Sequence, residues 1–214
     1  MWFLGYSVHD MNTDRDRDDA LTLEILDVIE RQKDVSQRHL ARHLGVALGL
    51  TNSYLKRCVR KGLVKVSQAP ANRYLYYLTP QGFAEKSRLT AQYLSISLSF
   101  YRKSGESCSR VFDECARKGW QRLLLCGVSD LAEIATLRAV ERDIDVIGYF
   151  DPTSEQKNFL NRPVWPVHEA ATPHDACLLT ELQSPQARYQ ELRKLMAEDL
   201  ILIPDVLAVG NRGH

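Results

Sequence analysis

"SQRHLARHLGVALGLTNSYLKRCVRKGLVKV", residues 36–66, is the stretch that decides the first half of the chain. Ser36 is a residue type that caps helices, because its hydroxyl accepts from an amide that the first turn leaves unpaired. It predicts a short helix over "QRHLARHLG", with Leu40 and Leu44 turned inward and Gly45 at the end, where a left-handed residue is favoured. "VALG" then turns the chain into a second helix over about 48–61. There Leu50, Tyr54, Leu55, Cys58 and Val59 are expected to face a core, while Gly49, Asn52, Ser53, Lys56, Arg57 and Arg60 share the other face. Two short helices joined by a tight turn, the second one basic, read as a helix-turn-helix.

The flanks extend this unit. Upstream, Leu21, Ile25, Val28 and Ile29 repeat at helical spacing over 20–33, with Asp18 and Asp19 at the positive end of the helix dipole. Downstream, "LVKVSQ" and "RYLYYLT" are β-prone runs separated by "APAN", a hairpin with Pro70 and Asn72 near its tip. A helix-turn-helix followed by such a hairpin is a winged helix. Charge placement agrees, although the net charge of +1 conceals it. Residues 36–84 hold eight Lys or Arg and no Asp or Glu, whereas 1–35 hold four basic and nine acidic residues and 121–214 hold nine and fourteen. A basic segment between acidic flanks fits double-stranded DNA as partner. Asn52 and Ser53, with Thr51 nearby, are the expected base-edge contacts. Lys56, Arg57, Arg60 and Lys61 are expected on phosphates, and Arg73 on the wing reaches a phosphate or the minor groove.

The same residues, with "YLYYLTPQGFAEKSRLTAQYL" after them, resemble MarR-type winged-helix regulators, in particular the subgroup associated with exopolysaccharide gene clusters. The resemblance covers about residues 20–102 and departs at Thr51, where that subgroup carries a basic residue before the Asn. It implies a dimeric DNA-binding transcriptional regulator.

Thr79 followed by Pro80 predicts a helix start, with Thr as cap and Pro in the first turn. The helix is expected to run to about residue 103 and stop before Gly105. Phe83, Ser87, Thr90, Leu94 and Tyr101 lie along one stripe, and Leu89, Tyr93, Ile96 and Phe100 along another. A helix apolar on two faces must be covered, and a homodimer is the expected cover, with the C-terminal domain of the same chain as the alternative. In the next helix, "ESCSRVFDECARKG", Cys108 and Cys115 share a face, as small core residues or as a pair bridging a dimer. His39 and His43 have the i, i+4 spacing of a metal pair but no visible third ligand, and read as a solvated face or a phosphate contact. No metal site is expected.

From residue 120 the pattern changes. "RLLLCG", "SDLAEIATLRAVER" and "DVIGYF" follow strand-helix-strand order, and "ACLLTEL", "SPQARYQELRKLM" and "LILIPD" continue it, which implies a Rossmann-like parallel sheet. This half resembles the Rossmann-like parts of polysaccharide-biosynthesis epimerases and sugar acyltransferases through Gly127, "GYFD" at 148–151 and "RPVWP" at 162–166. A dinucleotide site wants three glycines at the first turn, and the chain offers Gly127, Ser129 and Ala132. Ser129 places a side chain where the pyrophosphate would approach, and Asp130 brings a carboxylate to amides that an anion would use. Asp151 ends the second strand, where a carboxylate can take ribose hydroxyls. Gly127, Ser129, Asp130 and Asp151 are therefore the candidate ligand residues. An NAD-like ligand, a nucleotide-sugar fragment and no ligand all remain open.

No catalytic set emerges, so the chain is read as a non-enzyme. His168 and His174 flank "EAATP" with no nucleophile motif around them and read as structural. Five cysteines without a CxxC pair point to a reducing compartment, the cytoplasm. "MWFLGYSVHDM" lacks the basic and long apolar regions of a signal peptide, no run is long enough to cross a membrane, and Met11 is an alternative start to Met1. The expected fold class is α+β: a lead-in over 1–17, a winged helix-turn-helix over 18–79, long connecting and dimerisation helices over 80–119, and a small Rossmann-like α/β domain over 120–214. The leading function is a DNA-binding regulator whose C-terminal half senses a small-molecule effector. The alternatives are a regulator whose C-terminal half is a ligand-free docking or dimerisation module, and a nucleotide-sugar-modifying enzyme with an accessory winged helix.

Overall fold

The computed structural model describes residues 14–32, 35–69, 73–168 and 171–209. Both alternative starts, Met1 and Met11, most of the lead-in and the hairpin-tip residues Pro70 and Asn72 lie outside the described residues, as does the side chain of Arg73. Two compact units are present, Met1–Ser97 and Leu98–His214.

In the first unit, helices α1 (Asp14–Arg31), α2 (Gln37–Leu44) and α3 (Leu48–Arg60) precede an antiparallel hairpin of β1 (Val64–Ala69) and β2 (Arg73–Leu78). Helix α1 begins at Asp14, inside the stretch expected as lead-in. The Ser36 hydroxyl accepts from the His39 amide at 3.2 Å, and Gly45 takes the left-handed conformation that ends α2. Leu21, Ile25, Val28 and Ile29 of α1 pack with Leu40, Leu44, Leu55, Cys58, Val64 and Tyr76 into one core. The periodicity of α1 and the alternation in the hairpin thus converge on the same apolar interior.

Helix α4 runs unbroken from Pro80 to Lys118, and its first part belongs to the first unit. The Thr79 hydroxyl caps it, accepting from the Gly82 amide at 3.0 Å. The expected break before Gly105 does not occur. A Cβ on Gly105 would lie 2.8 Å from Arg138 Nε, so the missing side chain is what lets Arg138 pack there. Packing of its buried neighbours Ser104, Ser107 and Cys108 outweighs the ~1 kcal/mol that glycine costs in a helix.

The second unit is built on a six-stranded sheet in the order β5-β6-β4-β3-β7-β8. β3 (Arg122–Cys126), β4 (Asp145–Phe150), β6 (Arg162–Trp165), β7 (Ala176–Leu179) and β8 (Ile201–Leu202) are parallel, and β5 (Asn158–Phe159) adds an antiparallel edge. Helix α5 (Asp130–Val140) links β3 to β4, and α6 (Pro185–Leu195) links β7 to β8. Alternation along β3 sorts the two faces. Leu123 and Leu125 pack with Phe112, Cys108 and Cys115 of α4 and Leu131 of α5, while Leu124 and Cys126 pack with Tyr189 and Leu192 of α6. Cys108 and Cys115 are core residues, and burial pushes their thiols up to about 12 and about 11.

Candidate functional site

On α3, the residues expected to contact DNA divide by burial. Ser53, Lys56, Arg60 and Lys61 are exposed, Asn52 and Arg57 are half-buried, and Thr51 is only 1% exposed. Thr51, expected beside the bases, is corrected to a core position: its hydroxyl donates to the Ala47 carbonyl at 3.3 Å. The core stripe of α3 is Thr51, Leu55 and Cys58, so Leu50 and Val59, expected inside, face outward. The helix is rotated from the expected setting, with Thr51 inside, its hydroxyl satisfied by the Ala47 carbonyl, and Leu50 outside.

Arg57 differs from the other basic residues. Its Nη1 donates to Asp18 Oδ2 of α1 at 2.8 Å, its guanidinium lies 4.6 Å from the centre of the Tyr54 ring, and the Tyr54 hydroxyl also donates to Asp18. The hydrogen bonds from Arg57 and Tyr54 hold the Asp18 carboxyl below the ordinary carboxylate range. Arg57 is therefore partly neutralised where a phosphate contact was expected, and Lys56, Arg60 and Lys61 are the exposed cations of the α3 end. Asn52 carries a buried Oδ1 with no hydrogen-bond partner, and the Ser53 hydroxyl donates to the Gly49 carbonyl at 3.0 Å.

In the second unit the strand order reverses at β3, so the crevice beyond the ends of β3 and β7 is where an open parallel sheet places a ligand. Here that turn is closed by its own side chains. Asp151, 4% exposed, accepts from the Val128 amide through Oδ2 at 2.9 Å and from the Thr153 amide and hydroxyl through Oδ1 at 2.9 and 2.7 Å. The Ser129 hydroxyl accepts from the Ala132 amide at 3.2 Å and donates to the Thr180 carbonyl at 2.5 Å, while the Thr180 hydroxyl donates to the Gly127 carbonyl at 2.6 Å. Gly127 has φ 111°, and a Cβ on it would lie 2.6 Å from the Glu181 amide nitrogen. Arg188, itself buried, has Nη2 3.6 Å from Asp151 and 3.7 Å from Glu181, with Nη1 2.8 Å from Glu191.

Asp151 is thus hydrogen-bonded within the turn, and the Ser129 hydroxyl caps α5. Burial alone would raise the Asp151 carboxyl, but the bonds from Val128 and Thr153, with Arg188 nearby, hold it below the ordinary carboxylate range. Asp130 opens α5 and is half-buried.

One cluster escaped the sequence reading. Cys177 of β7 brings its Sγ to 3.4 Å from His174 Nε2, and His168 joins them, where the sequence shows no nucleophile motif around the two histidines. Hydrogen bonding from Cys126 draws the Cys177 thiol down against its own burial, with the neighbouring histidines adding to the effect, while burial pushes Cys126 up. The signal in the sequence is the spacing H-x5-H-x2-C at 168–177, which is neither a helical i, i+4 pair nor a CxxC. His39 and His43 only stack, with ring centroids 6.4 Å apart.

The helix-turn-helix with its hairpin defines the first unit as a winged helix. A family model described as "Winged helix-turn-helix DNA-binding" matches residues 18–65. Among solved structures, the chain is similar to a MarR family protein of Mycobacterium tuberculosis in complex with salicylic acid, at 26% identity over 33% of this chain and 54% of that one, with a TM-score of 0.30. It is also similar to FabT of Streptococcus pneumoniae in complex with DNA (24% identity, 36% and 55% covered, TM-score 0.31). A third is MepR, a transcription regulator of the Staphylococcus aureus multidrug efflux pump MepA (20% identity, 38% and 60% covered, TM-score 0.34). This chain thus spans little more than half the length of these proteins. No curated protein matches. Among the described residues, no helix is long and apolar enough to cross a membrane.

Proposed function

We propose that the chain is a cytoplasmic, homodimeric, MarR-type regulator of transcription that binds double-stranded DNA through α3 and the hairpin. The observation that carries the reading is the exposed group Ser53, Lys56, Arg60 and Lys61 on and just after the second helix of a helix-turn-helix, within a 49-residue segment free of acidic side chains. Polar side chains on that helix can read base edges in a major groove while the cations neutralise phosphates. The MarR-type assignment is supported by the motif order from Ser36 to Leu94. Dimerisation is supported by α4, where Phe83, Leu94 and Ile96 stay 47–49% exposed in the single chain. The second unit reads as Rossmann-like on its parallel order with the switch at β3.

For that unit, the geometry favours a docking or dimerisation module over a nucleotide or nucleotide-sugar sensor. The Val128 and Ala132 amides that would grip a phosphate already donate to Asp151 and Ser129. The test of the DNA reading is a fluorescence-anisotropy titration of labelled duplex at several salt concentrations, with the Lys56→Ala/Arg60→Ala double variant beside the parent chain. The log-log salt slope should fall by roughly two for two lost phosphate contacts. An unchanged affinity and slope would refute the assignment.

A further inference from the structure

We propose that His168, His174 and Cys177 form a zinc site on the second unit, independent of the DNA-binding reading. One nitrogen from each histidine and the Cys177 sulfur all lie within 4.8 Å of one another. The Cys177 Sγ to His174 Nε2 separation of 3.4 Å is close to the roughly 3.5 Å edge of a tetrahedron built with Zn–S of about 2.3 Å and Zn–N of about 2.0 Å.

The surroundings orient the donors. His174 Nδ1 lies 3.0 Å from the Thr172 carbonyl, and an imidazole that donates there presents a lone pair at Nε2, towards the sulfur. A backbone carbonyl on the far nitrogen is the usual support of a metal-bound histidine. The His168 ring stands nearly perpendicular to that of His174, at 82° with centroids 5.2 Å apart, and its Nε2 is buried with no hydrogen-bond partner. Cys177 is held in β7, paired between β3 and β8, so its backbone position is fixed by strands on both sides. Both histidines are half-buried, which leaves an ion a route in from solvent. One thiolate with two imidazoles is a borderline-soft set that suits zinc and not magnesium or calcium, and three protein donors leave a fourth position for water or another ligand.

The test uses the full chain stripped with a chelator, then titrated with zinc against a chromophoric competitor and, separately, with cobalt. About one zinc per chain should bind, and cobalt should show a thiolate charge-transfer band. His168→Ala, His174→Ala and Cys177→Ser should each lose stoichiometric binding and the band, while the His39→Ala/His43→Ala double variant keeps both. Because Cys177 is buried, the two histidine variants decide the matter if Cys177→Ser does not fold. A folded parent chain without the band, binding that survives His174→Ala, or binding lost only in the His39/His43 variant would overturn the site.

Discussion

Arg57 of α3 donates to the Asp18 carboxylate of α1 at 2.8 Å, so an acid 39 residues upstream holds one of the cations of the proposed recognition helix. The pair is partly exposed, and such pairs contribute no more than about 1 kcal/mol to stability. Its larger effect is on the charge that α3 presents.

Asp18→Asn should therefore tighten binding to duplex DNA and steepen the log-log salt slope by about one, since Arg57 becomes available to a phosphate. Melting of the first unit should change little. Anisotropy at several salt concentrations measures the first effect and a thermal scan the second; weaker DNA binding would mean that Asp18 positions Arg57 for DNA rather than competing for it.

The exposed face of α4 makes a second expectation. Leu94→Lys places a charge on the stripe it shares with Phe83, where a dimer would bury apolar surface. Light scattering should show a dimer for the parent chain and a monomer for the variant, with helix content by circular dichroism preserved. A parent chain that is monomeric at tens of micromolar would contradict the proposed cover of this helix.

Gly127→Ala should lower the stability of the second unit by at least about 2 kcal/mol, because φ 111° disfavours a side chain and the new Cβ would press on the Glu181 backbone. Urea unfolding reads this directly. A change under ~0.5 kcal/mol would mean that the turn is looser than its contacts indicate.

The Asp151 carboxyl gives a pH dependence whose sign is fixed by its lowered folded value. Its contribution is fully present above the ordinary carboxylate range and is lost as pH falls through that range towards the folded value. Asp151→Asn should cost about 1–3 kcal/mol near neutral pH, since it removes the charge beside buried Arg188 and one acceptor of the turn. The urea midpoints of parent and variant should converge on acidification. A gap that persisted in acid would place the effect in shape rather than charge.

Much of the fold was legible because its signals are local. Ser36 as cap, Gly45 as terminator, the Thr79-Pro80 start and the strand-helix-strand order after residue 120 each depend on neighbours within a turn or a strand. Gly105 misled because a glycine in a helical pattern reads as a stop unless something requires its missing side chain, and Arg138 does so from α5. The rotation of α3 was equally hidden, since Leu50 and Thr51 exchange roles through packing against other helices.

By itself, the sequence determined the winged-helix unit, the basic segment and the parallel sheet, because periodicity, caps and charge blocks act over a few residues. Tertiary structure alone decided how the polar side chains are spent. It turned Arg57 to Asp18, gave the Asp151 carboxylate to the Val128 amide, and brought His168 to the His174 and Cys177 pair. Each of these depends on which donor and acceptor the fold brings within about 4 Å, a consequence of how strands and helices stack that no local pattern encodes.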